Sequence, residues 1–279
     1  MYVTGYPERV TQSDWVPETV SPDRPSVARI YDYHLGGHHN FAADRAAADA
    51  AAAAYPDLPL VMRVNRAFLR RAVEFLCAQG IDQFLDLGSG IPTAGNVHEV
   101  AQQLNPAARV VYVDNDAVAV AHSAALLRDN PLATVVRADI REPERILAAP
   151  EVRRLLDFSR PVAVLLVFVL HFVPDDAQVA RLLSTLREAL VSGSYLVISH
   201  GTAEQLSPEV HAEERRLSER TSHTLYLRSR AQIASMFDGL DLVPPGLVYL
   251  PLWRPEGPDD LFFDQPQRSS SYGGMGRKP

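Results

Sequence analysis

An apolar strand that ends in an acidic residue and a tight glycine turn is the feature that most constrains this chain. The segment reads Phe84-Leu85-Asp86-Leu87-Gly88-Ser89-Gly90. A buried parallel strand that leads into a Gly-x-Gly turn lets the backbone approach a ligand that any Cβ would push away, and it directs the next helix N-terminus at that ligand. The segment therefore predicts a site for a nucleoside-bearing cofactor in a parallel α/β sheet.

The composition restricts the class of protein. The chain has 279 residues, of which 47% are hydrophobic and 22% charged, enough for one main domain with additions. A formal net charge of -7 gives no general attraction to polyphosphate, so nucleic acid is not an expected partner. The longest apolar run, 162–173, is shorter than the roughly 20 residues of a membrane-spanning helix, and the first 20 residues lack the apolar stretch of a secretory signal. With one cysteine and so no internal disulfide, the chain is expected to be cytoplasmic, without membrane association.

The chain divides into three predicted parts. Residues 1–58 are expected to form an extended arm and a helical cap. Residues 59–264 alternate strand and helix patterns, which is the βαβ rhythm of a parallel sheet. Residues 265–279, rich in Ser and Gly, are predicted to be a disordered tail.

Within the α/β part, residues 143–156 are predicted to be one helical stretch and 162–170 a central strand. Two final strands, near 241–243 and 247–250, are expected to pair as a hairpin through Pro244-Pro245-Gly246.

Polar side chains follow the predicted strands, at the edge where an open parallel sheet binds its ligands. They are Asp86, Asp114 with Asn115 and Asp116, Asp139, His171 and His200, in strand order.

Two cofactors compete for this pattern. Asp114 lies 24 positions after Gly90 (114 − 90), close to where a nicotinamide dinucleotide needs a ribose-binding acid, but Thr93 stands where the dinucleotide fingerprint requires Gly or Ala. S-adenosylmethionine has no phosphate, and the ammonium of its methionine end matches an acid at Asp86. Asp114 would then accept hydrogen bonds from both ribose hydroxyls, and Asp139 from the adenine amine. The predicted cofactor site comprises Asp86, Gly88, Ser89, Gly90, Asp114, Asn115 and Asp139.

Several further segments form a distinctive combination, from residue 26 to residue 255. They are Ala28-Arg29-Ile30-Tyr31-Asp32-Tyr33-His34-Leu35-Gly36-Gly37, Asn40-Phe41-Ala42-Ala43-Asp44-Arg45, Asn65-Arg66-Ala67-Phe68-Leu69-Arg70-Arg71, Val169-Leu170-His171-Phe172-Val173-Pro174, Leu227-Arg228-Ser229-Arg230 and Pro251-Leu252-Trp253-Arg254-Pro255. Because of these segments and the glycine-turn segment, the chain resembles a family of bacterial S-adenosylmethionine-dependent methyltransferases long catalogued as a domain of unknown function. The resemblance implies a class I methyltransferase fold, which is a doubly wound, Rossmann-like sheet of seven strands with the last strand antiparallel and a helical addition at the N-terminus. It implies no particular methyl acceptor.

Methyl transfer requires an aligned acceptor and, for a hydroxyl or amine, a proton acceptor. His171 and His200 are the candidate bases, with hydrogen bonding to loops as the alternative role of each. No Asn-Pro-Pro-Tyr type motif follows the fourth strand, which favours an O-linked or small-molecule acceptor over an amide or nucleobase amine.

The N-terminal cap supplies a predicted lid. Gly36-Gly37 would act as its hinge, and Tyr31 and Tyr33 would line it. The neighbouring pair His38-His39 lacks metal-ligand spacing, so no metal site is expected.

The arginines of the third helix, Arg63, Arg66 and Arg70, share one face that Glu74 continues. This pattern is typical of a solvated surface, with contact to an anionic acceptor as the alternative.

Three functions remain open on sequence grounds. The first is a methyltransferase acting on a small molecule, the second a nicotinamide-dependent oxidoreductase, and the third a regulatory protein that binds the cofactor without turnover.

Overall fold

A computed structural model describes residues 21–92 and 95–279 of the chain. Thr93 and most of the predicted N-terminal arm lie outside the described residues. The α-helices found within them are α1 (Val27–His34), α2 (Ala42–Ala54), α3 (Leu58–Ala78), α4 (Val97–Leu104), α5 (Ala117–Leu126), α6 (Pro143–Ala148), α7 (Pro150–Leu155), α8 (Asp176–Ala189), α9 (Pro208–Ser218) and α10 (Arg230–Ser235). The strands are β1 (Gln83–Leu87), β2 (Arg109–Asp114), β3 (Ala133–Arg137), β4 (Ala163–Val167), β5 (Tyr195–Gly201), β6 (Asp241–Leu242), β7 (Val248–Tyr249) and β8 (Ser271–Arg277).

One sheet organises the described residues. Its strand order is β3-β2-β1-β4-β5-β8-β6, and β7 also pairs with β8. Strands β1 to β5 are parallel, whereas β8 runs antiparallel to β5. The predicted doubly wound α/β fold with an antiparallel last strand is therefore confirmed. The described sheet has eight strands instead of seven because its edge strand is divided in two.

That division replaces the predicted hairpin. Strands β6 and β7 do not pair with each other but follow one another along the same side of β8. Between them lies Pro244-Pro245, and proline has no N–H to donate to a neighbouring strand. The Pro-Pro-Gly segment therefore interrupts an edge strand and does not reverse the chain between two paired strands.

The predicted disordered tail is wrong. Residues 271–277 form β8, which pairs with β5 over seven positions and lies inside the sheet. The glycines of this strand serve close packing: a Cβ at Gly273 would overlap Leu250, and one at Gly276 would lie 2.8 Å from Leu240. A Ser/Gly composition is thus required here by neighbours distant in sequence.

Two predicted elements are shorter than expected. The helical stretch 143–156 is divided into α6 and α7 at Pro150, which cannot continue a helix from the preceding turn. The central strand ends at Val167, because Phe168 adopts a positive φ of 54° and the chain then enters a 3₁₀ turn at 170–172. This early end turns His171 away from the direction of the strand.

Hydrophobic layers cover both faces of the sheet. One face packs against α6, α7, α8 and α10, and the other against α3 and α4. On the second face Trp253, with no exposed surface, contacts Phe68 and Phe75 edge to face. Trp253 is therefore a core residue.

The helices α1 and α2 are anchored to each other and to the sheet. The buried carboxylate of Asp44 accepts hydrogen bonds from Arg29 Nε at 2.7 Å and from the Ser26 amide at 2.9 Å. The Ser26 hydroxyl donates to Asp116, which follows β2. These contacts hold α1 and α2 over the carboxyl ends of the strands.

A search of the described residues finds no helix with the length and apolar character needed to cross a bilayer.

Substitution of Met275 tests the internal position of β8. Met275→Ala is expected to lower the free energy of unfolding by about 2–5 kcal/mol, because the side chain is fully buried in the core. Arg277→Ala, at the exposed end of the same strand, should change it by no more than about 0.5 kcal/mol. Equilibrium denaturation measures both, and equal small effects of the two substitutions would contradict the placement of β8.

Candidate functional site

A cavity of about 620 Å³ lies at the carboxyl ends of the parallel strands. Its floor comes from the segments that follow β1, β2, β3, β4 and β5, and its walls come from α1, α2, α3 and α9. The volume falls within the range of about 300–1,000 Å³ that is usual for small-molecule sites. The cavity also contains Asp86, Gly88, Ser89, Gly90, Asp114, Asn115 and Asp139, the residues predicted to bind a cofactor.

The glycine turn after β1 brings bare backbone to the cavity. Gly88 and Gly90 adopt φ values of +72° and +68°, a region that side chains rarely allow. A Cβ at Gly88 would overlap Val169, so the turn packs tightly against the loop after β4. A Cβ at Gly90 would meet open space, so the missing side chain leaves room on the cavity side.

Asp114 joins the turns after β1 and β2. Its carboxylate accepts the amide of Gly90 at 2.7 Å and that of Asp116 at 2.8 Å. Burial raises the pKa of Asp114 to about 6, although these backbone hydrogen bonds oppose the rise. A carboxylate has capacity for about four hydrogen bonds, so acceptor sites are left for a ligand.

Asp86 lies at the base of the same turn. Burial raises its pKa to about 7; the positive charge of Arg66 opposes this effect and the negative charge of Asp114 adds to it. Arg66 lines the cavity and donates to the Gly95 carbonyl at 3.0 Å. A carboxyl and a guanidinium thus lie at one end of the cavity, which matches the ammonium and carboxylate of an amino acid.

Asp139 and Asn115 line the cavity after β3 and β2. Asp139 forms a bidentate ion pair with Arg141, which lowers the pKa of Asp139. Asn115 Nδ2 lies 3.3 Å from Nε2 of His223. Both side chains line the cavity but already have protein partners.

The two predicted bases lie in different surroundings. His171 lines the cavity, and its Nδ1 is 3.4 Å from the Gly201 amide. Burial, together with the neighbouring His200 and Arg228, holds the pKa of His171 well below its usual range. His171 is therefore a neutral ring in the cavity wall at neutral pH.

His200 does not line the cavity. Its Nδ1 lies 2.7 Å from the Gly201 carbonyl, and its Nε2 lies 3.1 Å from Nη1 of Arg228. Arg228 also donates to the carbonyls of Leu170 and Val173. His200 thus supports the 3₁₀ turn that carries His171, which is the loop-bonding role that the sequence left as the alternative.

Of the four predicted lid residues, the structure brings only Tyr31 to the cavity. Its hydroxyl accepts from Asn65 Nδ2 at 3.0 Å. Tyr33 points outward and donates to Asp49. Gly36 and Gly37 lie outside the cavity, and a Cβ at Gly37 would overlap the buried Asp32 carboxylate. That close approach explains why position 37 requires glycine, and no hinge is needed to explain it.

Sequence reasoning missed three parts of the site. Arg66 lies on the helix face whose pattern is typical of a solvated surface, yet it lines the cavity. The neighbouring Arg71 lies outside the cavity and is buried against the carbonyls of Leu250 and Trp253. The alanines of α2 form a wall of the cavity, as does Glu214 of α9. Helical periodicity identifies which residues share a face, but it does not identify which face meets a cavity.

No cluster of three or more potential metal ligands is found among residues 21–92 and 95–279.

Comparison with known proteins identifies the family of this chain. A family model described as S-adenosyl methyltransferase matches residues 13–279. A crystal structure of a methyltransferase candidate from Thermobifida fusca YX is 44% identical, covers 95% of this chain and 99% of its own, and superposes with a TM-score of 0.88. A DUF574 family protein from Streptomyces avermitilis MA-4680 is 42% identical, with 92% and 99% coverage and a TM-score of 0.85. Among curated proteins none matches significantly.

These matches extend over nearly the whole chain. No finding supports the oxidoreductase or the regulatory alternative. The chain belongs to the S-adenosyl methyltransferase family and is an S-adenosylmethionine-dependent methyltransferase of the class I fold.

Proposed function

We propose that this methyltransferase acts on a small, largely apolar acceptor that binds between α2 and α9. The observation that carries the proposal is the composition of that part of the cavity. Ala47, Ala51 and Ala54 of α2 face the interior together with Leu206 and Leu217. Small side chains leave volume and apolar ones favour an apolar ligand, whereas a polyanion would meet the acids at the strand ends.

The cofactor fits the residues at the other end of the cavity. Asp86 and Arg66 would hold the ammonium and the carboxylate of the methionine part, and Asp114 the ribose hydroxyls. Asp139 would border the adenine, as would the backbone of Ala138 and Ile140. The open space beside Gly90 and the free acceptor capacity of Asp114 are the structural observations that support this fit.

The bound cofactor would supply an activated methyl group on a sulfonium, so the protein has mainly to orient the acceptor and exclude water. We assign His171 to orientation of the acceptor, since it lines the cavity and remains neutral. Tyr31 would contribute to the same wall. The helices α1 and α2 would act as a fixed cap over the α/β domain, held by the Arg29–Asp44 pair. A cytoplasmic location is part of this proposal and fits a chain with a single cysteine.

An assay for S-adenosylhomocysteine release tests the acceptor class. The protein would be incubated with S-adenosylmethionine and, separately, with mixtures of apolar small molecules, with RNA and with unfolded protein. Release above the background rate only with small molecules, together with a methylated product by mass spectrometry, is the expected result. Release that depends on RNA or protein would contradict the proposed acceptor.

The glycine turn can be tested with a matched pair of substitutions. Gly90→Ala is expected to weaken S-adenosylhomocysteine binding at least tenfold, or about 1.4 kcal/mol, because its Cβ enters the cofactor region. Gly80→Ala provides the control: Gly80 has φ +82° and open surroundings but ends α3 away from the cavity. Both variants should lose about 1–2 kcal/mol of stability from the backbone conformation. Calorimetric titration distinguishes them, and equal affinities would contradict the assigned position of the cofactor.

Cofactor affinity should depend on pH through Asp86. Its carboxyl has a pKa of about 7 in the free protein, so it is ionised above that pH and neutral below it. Because the ionised form attracts the cofactor ammonium, the affinity for S-adenosylhomocysteine should rise from pH 5.5 to pH 7.5, by about tenfold or more.

Asp86→Asn provides the control for this dependence. The variant should bind more weakly at pH 7.5 and lose the part of the pH dependence near pH 7, whereas the part near pH 6 belongs to Asp114 and should remain. Its melting temperature should not fall, since an amide is easier to bury than a carboxylate. Titrations over this pH range measure the effect. An unchanged pH profile in the variant would assign the dependence to another group.

A further inference from the structure

Glu214 is an acidic residue of the cavity to which neither the cofactor nor the fold gives a role. It lies on α9, and its carboxyl lines the cavity. Its Oε2 atom is buried and has no hydrogen-bond partner among the residues that the structure describes. An unpaired buried carboxyl oxygen is costly, so this position departs from what folding alone favours.

The basic residues of α9 do not compensate this carboxyl. Arg215 pairs with Glu219, and Arg216 pairs with Glu213, all on the outer side of the helix. Burial raises the pKa of Glu214 to about 7, and no nearby positive charge opposes that effect within the described part of the chain. At neutral pH the group is therefore partly ionised and has no counter-ion.

The surroundings of Glu214 are otherwise apolar. Helix α9 packs against α2, whose alanines line the same part of the cavity. At the end of α2, burial raises the pKa of the Tyr55 phenol, and the nearby charge of Glu214 adds to the rise. The Tyr55 hydroxyl itself is already bonded to the Arg268 carbonyl and to Ser270. Glu214 is thus an acidic group in a part of the cavity that is lined by small aliphatic side chains.

We propose that Glu214 binds the methyl acceptor through a positively charged amine, so that the acceptor is an apolar molecule that carries an amino group. The proposal rests on the function proposed above and names the substrate class of the same cavity. An ammonium group would supply both the missing hydrogen-bond donor and the missing counter-charge. A neutral hydroxyl would supply only the donor, and a carboxylate would be repelled.

Other titratable groups near this position are few. From α2, Tyr55 faces Glu214, and its raised pKa keeps it neutral at physiological pH. From α1, His34 lines the same cavity, and burial lowers its pKa, so it too is neutral. On α9 itself, His211 lies one turn earlier and is exposed. Glu214 is therefore the group expected to control amine binding near pH 7.

Binding of three matched probes tests the proposal. Phenethylamine, phenethyl alcohol and 3-phenylpropanoate would each be titrated calorimetrically into the full chain saturated with S-adenosylhomocysteine. The amine should bind at least about tenfold more tightly than the alcohol, and the carboxylate should not bind measurably.

Glu214→Gln is expected to weaken amine binding at least about tenfold while changing alcohol binding by less than about twofold, because the amide keeps the shape but not the charge. Glu213→Gln, at the adjacent and outward-facing position, is the matched control and should leave all three titrations unchanged.

The wild-type protein gives a second measurement that needs no variant. Amine affinity should increase from pH 6 to pH 8 as the carboxyl with a pKa of about 7 ionises. The amine remains protonated over this range, since alkylamines have pKa values of about 10.

The outcomes separate this proposal from the proposed function. Failure to bind S-adenosylhomocysteine in the first step would overturn the cofactor assignment. Normal cofactor binding combined with equal affinity for amine and alcohol, or with an unaffected Glu214→Gln variant, would overturn the role of Glu214 alone. A flat pH profile for the amine would do the same.

Discussion

The parallel arrangement of β1 to β5 is the constraint on which the rest of the structure depends. Because these strands run in one direction, the residues that end them meet at one edge of the sheet, although they are separated by up to about a hundred positions. Asp114 fixes two of these strand ends relative to each other, since its carboxylate accepts hydrogen bonds from the turns that follow β1 and β2. The same bonds orient the bare backbone of Gly90 toward the cavity.

The cap depends on a second, buried interaction. Asp44 pairs with Arg29 at 2.7 Å, and the side chains of both residues are at most 4% exposed. Its other oxygen accepts the Ser26 amide, and Ser26 in turn bonds to Asp116 at the end of β2. Removal of Arg29 would leave the buried carboxylate of Asp44 without its counter-charge, so the position of α1 and α2 is closely linked to the sheet edge. A cap fixed in this way bounds the cavity by geometry and needs no hinge at Gly36-Gly37.

Much of the cavity floor was predictable because its signals are local. A strand pattern, a Gly-x-Gly turn and an acid after each of the first three strands identify Asp86, Asp114 and Asp139 without knowledge of long-range packing. The position of β8 was not predictable in this way. Its Ser and Gly residues are typical of disorder, and the contacts with Leu250 and Leu240 that require them arise only in the folded chain. The position of Arg66 in the cavity wall was not predictable for a similar reason, since the periodicity of α3 does not indicate which of its faces borders the cavity.

Burial raises the pKa of three cavity carboxyls, Asp86, Asp114 and Glu214, to between about 6 and about 7. Each such group is stabilised less by the protein than it would be by water, so each would gain from a cationic or hydrogen-bond-donating ligand. Asp86 has Arg66 nearby and Asp114 has two backbone amides, whereas Glu214 has no comparable partner among the described residues. The part of the cavity beside α9 is therefore where the free protein retains the least compensated charge. A ligand that supplies a cation there would offset the free-energy cost of burying the unpaired Glu214 carboxyl. That cost is the physical basis for selecting an amine over an equally apolar neutral molecule.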